Sequence, residues 1–198
     1  MTELGFNAAL WAGRATLFGA LLWAVYTDSR ERRIRNDLTL TLLLSGLLWH
    51  VTMMDGVGLF DPTSSGGLGF KMSALGAAAA FAAFFPLYLF KLFGAGDVKL
   101  LVAVGAWVGL PGLLPVTLLI LICGGALALA RILDPARRAR TLVNLRIIGL
   151  QFMGVGAAAG AGFDPKTDSA DGLPYAWAIL FGTAIYALAR FGGWWRWM

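Results

Sequence analysis

The sequence has very few of the residues on which metal sites and nucleophilic enzyme sites depend. Among its 198 residues there is one histidine, His50, and one cysteine, Cys123. A single histidine excludes an HExxH zinc site, and a single cysteine excludes a disulfide framework and a four-cysteine zinc site. We expect His50 to pack between helices or at the membrane interface, and Cys123, which lies in an apolar run, to be a structural thiol. Neither a metal nor a cofactor is therefore predicted.

Charged residues are scarce as well. They make up 14% of the chain, against 59% hydrophobic residues and a mean hydropathy of +0.73, whereas about a quarter of a soluble domain is charged. We therefore predict an all-α integral membrane protein, with one polytopic domain over residues 1–198 and about six transmembrane helices of roughly 20 residues. Because no basic residue precedes Arg14, we expect the first apolar segment to be a retained helix and not a cleaved signal peptide.

Six apolar segments are predicted to cross the membrane: Ala8–Tyr26, Leu38–Met54, Leu68–Phe90, Val98–Leu110, Leu113–Leu133 and Pro174–Phe191. Arginines are concentrated after the first and fifth segments, which predicts that these two loops are cytoplasmic and that both termini are outside. The net charge of +5 is explained by these loops and forms no aromatic-interleaved patch, so no nucleic-acid partner is expected. We interpret the glycine-rich stretch 147–163 as an interfacial element and 164–172 as a loop. The alternatives are that 147–163 re-enters the membrane or spans it, and a span would place the C-terminus on the other side.

Acid–base chemistry would fall chiefly to aspartate, because nine aspartates are present and only two glutamates. Asp28 ends the first apolar segment, and Asp97 lies in a Gly-Ala-Gly-Asp motif between the third and fourth segments. An ionisable group beside hydrocarbon is costly and is therefore a functional candidate. The other seven are interpreted as helix N-caps or as solvated loop residues: Asp37 and Asp134 as caps, and Asp55, Asp61, Asp164, Asp168 and Asp171 in loops.

Structural interpretations of the polar residues near the membrane compete with the functional ones. As alternatives, Asp28 pairs with an arginine of the following loop, Arg30 or Arg32, and Asp97 is the N-cap of the fourth segment. Two basic side chains are expected to extend to lipid head groups: Lys99 and Arg14.

The predicted topology brings Asp28 and Asp97 to the same face of the membrane. Two carboxylates held close together cannot both ionise, so they share one proton. One can then act as a base on water while the other donates to a peptide carbonyl, which is chemistry that needs neither histidine nor serine nor metal. Gly94 and Gly96 allow the backbone to leave the helix and to approach its neighbours closely. This pattern indicates an aspartate-pair site.

These motifs resemble the type IV prepilin peptidase family, and more closely its short Tad or Flp-pilus branch. The stretch Asp28–Asn36, an aspartate followed by a basic run, is similar to the first signature of that family. Gly94–Lys99 is similar to the second, a GxGD sequence followed by lysine, and Pro174-Tyr175-Ala176 resembles a late Pro-Tyr-Ala. One departure is Arg35, which stands where the family usually has a proline, so the turn into the second segment loses a fixed backbone angle.

The resemblance implies an aspartyl endopeptidase of the bacterial cytoplasmic membrane with Asp28 and Asp97 as catalytic residues. Its partners would be membrane lipid and pilin precursors, whose basic leader lies in the cytoplasm and is cut next to the apolar helix. Methyltransferase activity, which longer members with a four-cysteine insert carry, is not expected. The residues expected to support the site are those matching the family motifs: Gly94, Gly96, Lys99, Asn36, Pro174 and Tyr175.

Three other functions use the same residues. A proton-coupled transporter would carry protons on Asp28 and Asp97, but such proteins have more polar residues deep in their spans and often an internal repeat. A non-enzymatic scaffold for pilus assembly would tolerate asparagine at either position. A presenilin-like protease also has GxGD, but the basic loop after Asp28 and the late Pro-Tyr-Ala favour the pilin branch.

Overall fold

A computed structural model describes residues 3–53, 56, 58–61, 66–90, 92–133 and 175–192. Five α-helices account for most of these residues, and the prediction of a helical protein is confirmed for this part of the chain. The helices are α1 (Glu3–Glu31), α2 (Asn36–Thr52), α3 (Gly69–Leu89), α4 (Ala95–Leu133) and α5 (Ala176–Phe191). Three stretches are long and apolar enough to cross a membrane: Ala8–Glu31, Gly69–Leu89 and Ala95–Ala130.

The outer surfaces of these helices are apolar. Large side chains that a soluble protein would bury are more than half exposed here, including Leu114, Leu129, Leu48 and Leu22. A surface of this kind is stable only against another apolar phase, and in a helical chain of this hydropathy that phase is lipid. The inward faces carry a contiguous core around Leu17, Leu21, Leu42, Trp107 and Ile179, among others.

Helix α4 reverses direction at Gly109. This residue has φ 66° and ψ 178°, a left-handed conformation that glycine adopts without steric cost. Before the break, Lys99 contacts the start of α2, and after it the helix returns, since Gly124 packs on Tyr175 at the same end of the molecule. We call residues 95–108 and 110–133 the first and second limbs of α4. Pro111 is tolerated because it lies in the first turn after the break.

Close approaches between helices depend on small residues. A Cβ atom placed on Gly76 of α3 would collide with the backbone of Gly105 in α4, and one on Gly182 of α5 would lie 2.6 Å from the Cα of Ile120. Membrane helices commonly use such positions to bring their backbones together. The result is that α3, both limbs of α4 and α5 form the tightly packed part of the molecule.

The end of the molecule far from Asp28 is held by hydrogen bonds to backbone groups. His50 is only 1% exposed, and its Nε2 lies 3.0 Å from the carbonyl oxygen of Trp107 while its Nδ1 accepts a bond from the Leu68 N–H at 3.1 Å. The prediction that His50 packs between helices is confirmed. Ser73 donates in the same region to the carbonyl of Ala106 at 2.7 Å.

Two charged residues at that end have protein partners that the sequence did not indicate. Arg14 donates two hydrogen bonds to the carbonyl oxygen of Leu59, at 3.1 and 3.0 Å, so the expectation that it extends to lipid head groups is wrong. Asp61 was expected to be a solvated loop residue, yet it lies 3.8 Å from Arg190 with a side chain 17% exposed. In both cases an arginine on a helix fixes the segment between α2 and α3.

Several predictions fall outside the described residues. They concern residues 134–174, which include Asp134, the stretch 147–163, Pro174 and the loop 164–172 with Asp164, Asp168 and Asp171; they also concern Asp55.

Candidate active site

Asp28 lies within the last turns of α1. The helix continues to Glu31, so Asp28 is inside it, whereas the sequence placed the end of the segment at Tyr26. One carboxylate oxygen, Oδ2, accepts a hydrogen bond from the backbone N–H of Ala176 at 3.4 Å. Ala176 is the first residue of α5, where backbone N–H groups have no partner within their own helix. The start of α5 therefore fixes the position of the Asp28 carboxylate.

Asp97 is the third residue of α4. The N–H of Val98 bonds to the carbonyl of Gly94 at 3.1 Å, which makes Gly94 the N-cap, so the alternative that Asp97 is the cap itself is wrong. Its carboxylate instead accepts a hydrogen bond from the backbone N–H of Gly94, as the third-position acid does in a capping box. A carboxylate has about four acceptor sites, so this contact leaves Asp97 free to accept others.

The two glycines of the Gly-Ala-Gly-Asp motif are required by close contacts. A Cβ atom on Gly94 would lie 2.9 Å from Oδ2 of Asp97, and one on Gly96 would lie 3.0 Å from Cβ of Ile34. Gly94 thus leaves room for the carboxylate to reach back over the helix start. Gly96 lets the first turn of α4 pack on Ile34, which is 6% exposed and lies in the short connection between α1 and α2.

Asp28 and Asp97 come together at one end of the molecule. The carboxylate of Asp97 lies within electrostatic range of Asp28, and Asp28 lies within range of the Arg32 guanidinium. Two negative charges within this range repel each other, so ionisation of one carboxylate disfavours ionisation of the other. The contact with Arg32 also means that one structural alternative for Asp28, an interaction with the loop arginines, coexists with the pair.

Tyr175 stands beside the pair, immediately before α5. Its ring packs edge-on against Phe93, with the ring centroids 4.8 Å apart and an interplanar angle of 81°. Burial, with smaller contributions from the negative charge of Asp97 and from Cys123, raises the pKa of Tyr175 to about 12. In the sequence Tyr175 was indicated by a family motif alone, and in the structure its side chain lies within electrostatic range of Asp97.

Lys99 and Asn36 form a direct contact at the edge of the site. Lys99 Nζ donates to Oδ1 of Asn36 at 2.9 Å, so the expectation that Lys99 extends to lipid phosphate is wrong for this side chain. Asn36 is the first residue of α2. The bond therefore ties the start of α2 to the first turns of α4, next to Asp97.

Arg35 replaces the expected proline without changing the backbone angle that proline would impose. It is the N-cap of α2 with φ −71° and ψ 137°, and proline is fixed near −65°. Its guanidinium pairs with Asp37 at 2.7 Å on the exposed surface. Asp37 was predicted to be the N-cap, which is wrong, because it lies two residues after the cap, in the first turn of the helix.

Two residues that shape the site were not predicted from the sequence: Phe93 and Gly124. One is apolar and the other lacks a side chain, and both act by packing, so no chemical motif marks them. Within the described ranges, no group of three or more histidine, cysteine, aspartate or glutamate side chains is arranged to hold a metal ion.

Comparison with known proteins identifies the family. A family model described as the type IV leader peptidase family matches residues 15–129, which is more than half of the chain and includes both aspartates. The chain belongs to the type IV leader peptidase family. The predicted family resemblance is thereby confirmed.

A curated relative in this leader peptidase family comes from Xanthomonas campestris pv. campestris and is named prepilin leader peptidase/N-methyltransferase. It is 34% identical over 123 residues, which cover 56% of this chain and 39% of the relative. The similarity thus spans well under half of the relative's length. No solved structure matches the chain.

Proposed function

We propose that this leader peptidase family member is an aspartyl endopeptidase that removes the basic leader of pilin precursors at the cytoplasmic face of a bacterial inner membrane. The observation that carries the proposal is the meeting of Asp28, from α1, with Asp97, from α4, in a chain of this family. Asp28 and Asp97 are the proposed catalytic residues. The relative's name, which includes prepilin leader peptidase, supports the same substrate class.

The proposed reaction uses one proton shared by the two carboxylates. The ionised aspartate takes a proton from water, whose oxygen attacks the carbonyl carbon of the scissile bond, while the protonated aspartate donates to the carbonyl oxygen. A neutral tetrahedral diol forms. The aspartate that took the proton from water then gives it to the amide nitrogen as the C–N bond breaks, while the other aspartate takes a proton from a diol hydroxyl as the carbonyl re-forms. The pair then again holds one proton.

The proposed topology has six membrane crossings, with the two limbs of α4 counted separately. Helices α2 and α5 have 17 and 16 residues and reach about 25 Å at 1.5 Å per residue, which is close to the thickness of the hydrocarbon layer. Exposed arginines follow α1 at the aspartate end, which supports a cytoplasmic position for that end. Arg30 lies over the exposed ring of Tyr26, 5.5 Å from its centroid, as aromatic and basic side chains do at a membrane surface.

Such an arrangement suits a pilin precursor. Its apolar helix would lie in the bilayer and its basic leader in the cytoplasm, so the bond between them reaches the depth of Asp28 and Asp97. We further propose that the substrate is of the Flp type, because the chain resembles the short branch of the family. Methylation of the new N-terminus is not part of the proposal, although the longer relative's name includes N-methyltransferase.

The test is co-expression of the full chain with a candidate Flp-type pilin precursor, followed by separation of precursor and mature pilin on gels. We expect Asp28→Asn and Asp97→Asn each to reduce processing by about 10²- to 10⁴-fold, the range that acid–base catalysis contributes. Asp37→Asn is the matched control, because Asp37 is an exposed aspartate at the same end that pairs with Arg35. It should process the precursor at the parental rate.

Processing that survives both Asp28→Asn and Asp97→Asn would reject the peptidase mechanism and favour a scaffold. A transporter is distinguished in the same cells. It would leave the pilin leader uncleaved even with the parental chain, and its loss through Asp28→Asn or Asp97→Asn would change proton-coupled uptake instead. Mass spectrometry of the mature pilin reports whether its N-terminus also carries a methyl group.

A further inference from the structure

Two tyrosines pack in the same way at opposite ends of the molecule: Tyr175, immediately before α5, and Tyr186, within α5. Tyr175 meets Phe93 edge-on at 4.8 Å, and Tyr186 meets Phe60 edge-on at 5.8 Å and 89°. Each ring also lies on a glycine of the second limb of α4: Gly124 for Tyr175 and Gly112 for Tyr186. The shared packing stabilises both rings, so it explains the aromatic ring at each position but not what the hydroxyl of Tyr175 does.

The position of the Tyr175 hydroxyl depends on the absence of a Cβ atom at Gly124. A Cβ atom there would lie 2.9 Å from Cε2 and 3.2 Å from the hydroxyl oxygen of Tyr175. Contacts under 3.0 Å force one partner to move, and the ring is held on its other side by Phe93. Gly124 therefore lets the phenol lie where it does, and the adjacent Gly125 has open space around it.

What surrounds the hydroxyl differs between the two tyrosines. Tyr175 lies within electrostatic range of Asp97, and the next residue, Ala176, donates its N–H to Asp28. Tyr186 instead lies near Arg190. Two consecutive residues at the start of α5 thus face the two carboxylates, one by its backbone and one by its phenol. Among the described residues, no acceptor forms a hydrogen bond with the Tyr175 hydroxyl.

We propose that Tyr175 is a third catalytic residue of the leader peptidase: its hydroxyl donates a hydrogen bond to the carbonyl oxygen of the scissile peptide bond as negative charge develops there. The inference rests on the proposed function. A substrate carbonyl that binds between Asp28 and Asp97 would lie at the same end of the molecule as this hydroxyl, which is within electrostatic range of Asp97. A carbonyl oxygen has two lone pairs, so it accepts this bond together with the proton from the aspartate pair. Donors fixed in advance at such an oxygen are among the largest contributions to catalysis.

The protonation state of the phenol agrees with a donor role. Burial and the nearby carboxylate raise the pKa of Tyr175 to about 12. A group with a raised pKa keeps its proton at every pH below that value, so the hydroxyl remains a donor throughout the working range of an aspartate pair. It neither supplies nor takes a proton in the reaction.

The test compares Tyr175→Phe with Tyr186→Phe in the full chain, using purified protein in detergent and a synthetic pilin precursor. Both changes keep the ring packing and remove one hydroxyl. We expect Tyr175→Phe to lower kcat by about 10²- to 10³-fold, as the loss of one such donor does, with little change in KM. Tyr186→Phe should keep the parental kcat. The loss should be the same from about pH 5 to pH 9, because the phenol is protonated across that range.

Parental kcat in Tyr175→Phe would overturn the proposal. So would a shifted pH optimum with an unchanged maximal rate, since that result would show that Tyr175 only adjusts the aspartates. Either result leaves the peptidase function intact as long as Asp28→Asn and Asp97→Asn remain inactive. If those two variants cleave normally, the peptidase mechanism itself fails.

A second pair of variants keeps the proposal testable if Tyr175→Phe does not fold. Gly124→Ala should displace the phenol and lower kcat at least about 10-fold, a 1.4 kcal/mol change in the barrier. Gly125→Ala, in the same helix with nothing within 4 Å of the new Cβ, should leave kcat unchanged. Equal kcat values for the two alanine variants would contradict the proposed position of the hydroxyl.

Discussion

The two ends of the helix bundle use charge in opposite ways. At the end of His50, two charged side chains among the described residues meet complementary groups: Arg14 binds the carbonyl of Leu59 and Arg190 approaches Asp61. At the other end, Asp28 and Asp97 bring two charges of the same sign together. The first arrangement stabilises the fold, whereas the second costs energy, and under the proposed function it is retained for chemistry. Two like charges held near each other therefore indicate the candidate active site better than a buried charge alone does.

The strongest test of this difference between the two ends is to neutralise one aspartate at each end. Asp97→Asn should abolish leader cleavage, by about 10²- to 10⁴-fold, and leave the melting temperature in detergent close to the parental value. Asp61→Asn should do the reverse, keeping cleavage and lowering thermal stability. If both variants lost stability and kept activity, the two ends would not differ in the way described.

His50 gives the largest expected effect on stability. His50→Phe removes the partner of two backbone groups, the Trp107 carbonyl and the Leu68 N–H. Each buried group left without a partner costs about 1–3 kcal/mol, so for two groups we expect a loss of about 2–6 kcal/mol in the free energy of unfolding. Thermal unfolding in detergent measures it. His50→Gln offers a partial control, because its amide can both donate and accept. A parental melting temperature in His50→Phe would refute this account.

The glycines beside Asp97 should have a smaller effect, confined to activity. Gly94→Ala places a Cβ atom 2.9 Å from the Asp97 carboxylate and should move it, which we expect to lower kcat by about 10-fold, or 1.4 kcal/mol. Gly19→Ala, an exposed helix position with nothing within 4 Å, is the control and should retain the parental rate. Equal rates in both variants would show that the carboxylate tolerates the displacement.

Arg35→Pro should produce the smallest change, and in the favourable direction. The φ of −71° already fits proline, and a proline at a compatible position stabilises by about 0.4–1 kcal/mol through the unfolded state. The lost ion pair with Asp37 is exposed and contributes little. We expect a slightly higher melting temperature with unchanged cleavage. A lower melting temperature would mean that the N–H of Arg35 or the geometry of Ile34 matters more than its φ.

The sequence predicted the parts of the molecule that follow from hydropathy and from short motifs. Low charge predicted membrane helices, and the glycine motif and the arginine loops predicted that Asp28 and Asp97 would lie at the same end of the molecule. The boundary between the fourth and fifth segments was placed between Leu110 and Leu113, and the break lies nearby at Gly109. These features are local, so a single stretch of sequence contains the information for them.

Contacts between distant segments were not predictable in the same way. Lys99 and Arg14 were both expected to reach lipid, because a long basic side chain near a helix end gains from any nearby acceptor. Which acceptor it meets depends on the fold: Asn36 lies 63 positions from Lys99, and Leu59 lies 45 from Arg14. The role of Gly124 was hidden for the same reason, since its importance comes from a ring on another helix.

The break at Gly109 decides whether the described helices make an even or an odd number of crossings. Residues Ala95–Ala130 form one apolar stretch, and counted as a single crossing it would make that number odd. The left-handed conformation of Gly109 divides that stretch into two antiparallel crossings, so the number proposed above is even. Under the proposed topology, a reporter that is fused after Phe191 and detects its compartment would therefore test the conformation of this one glycine.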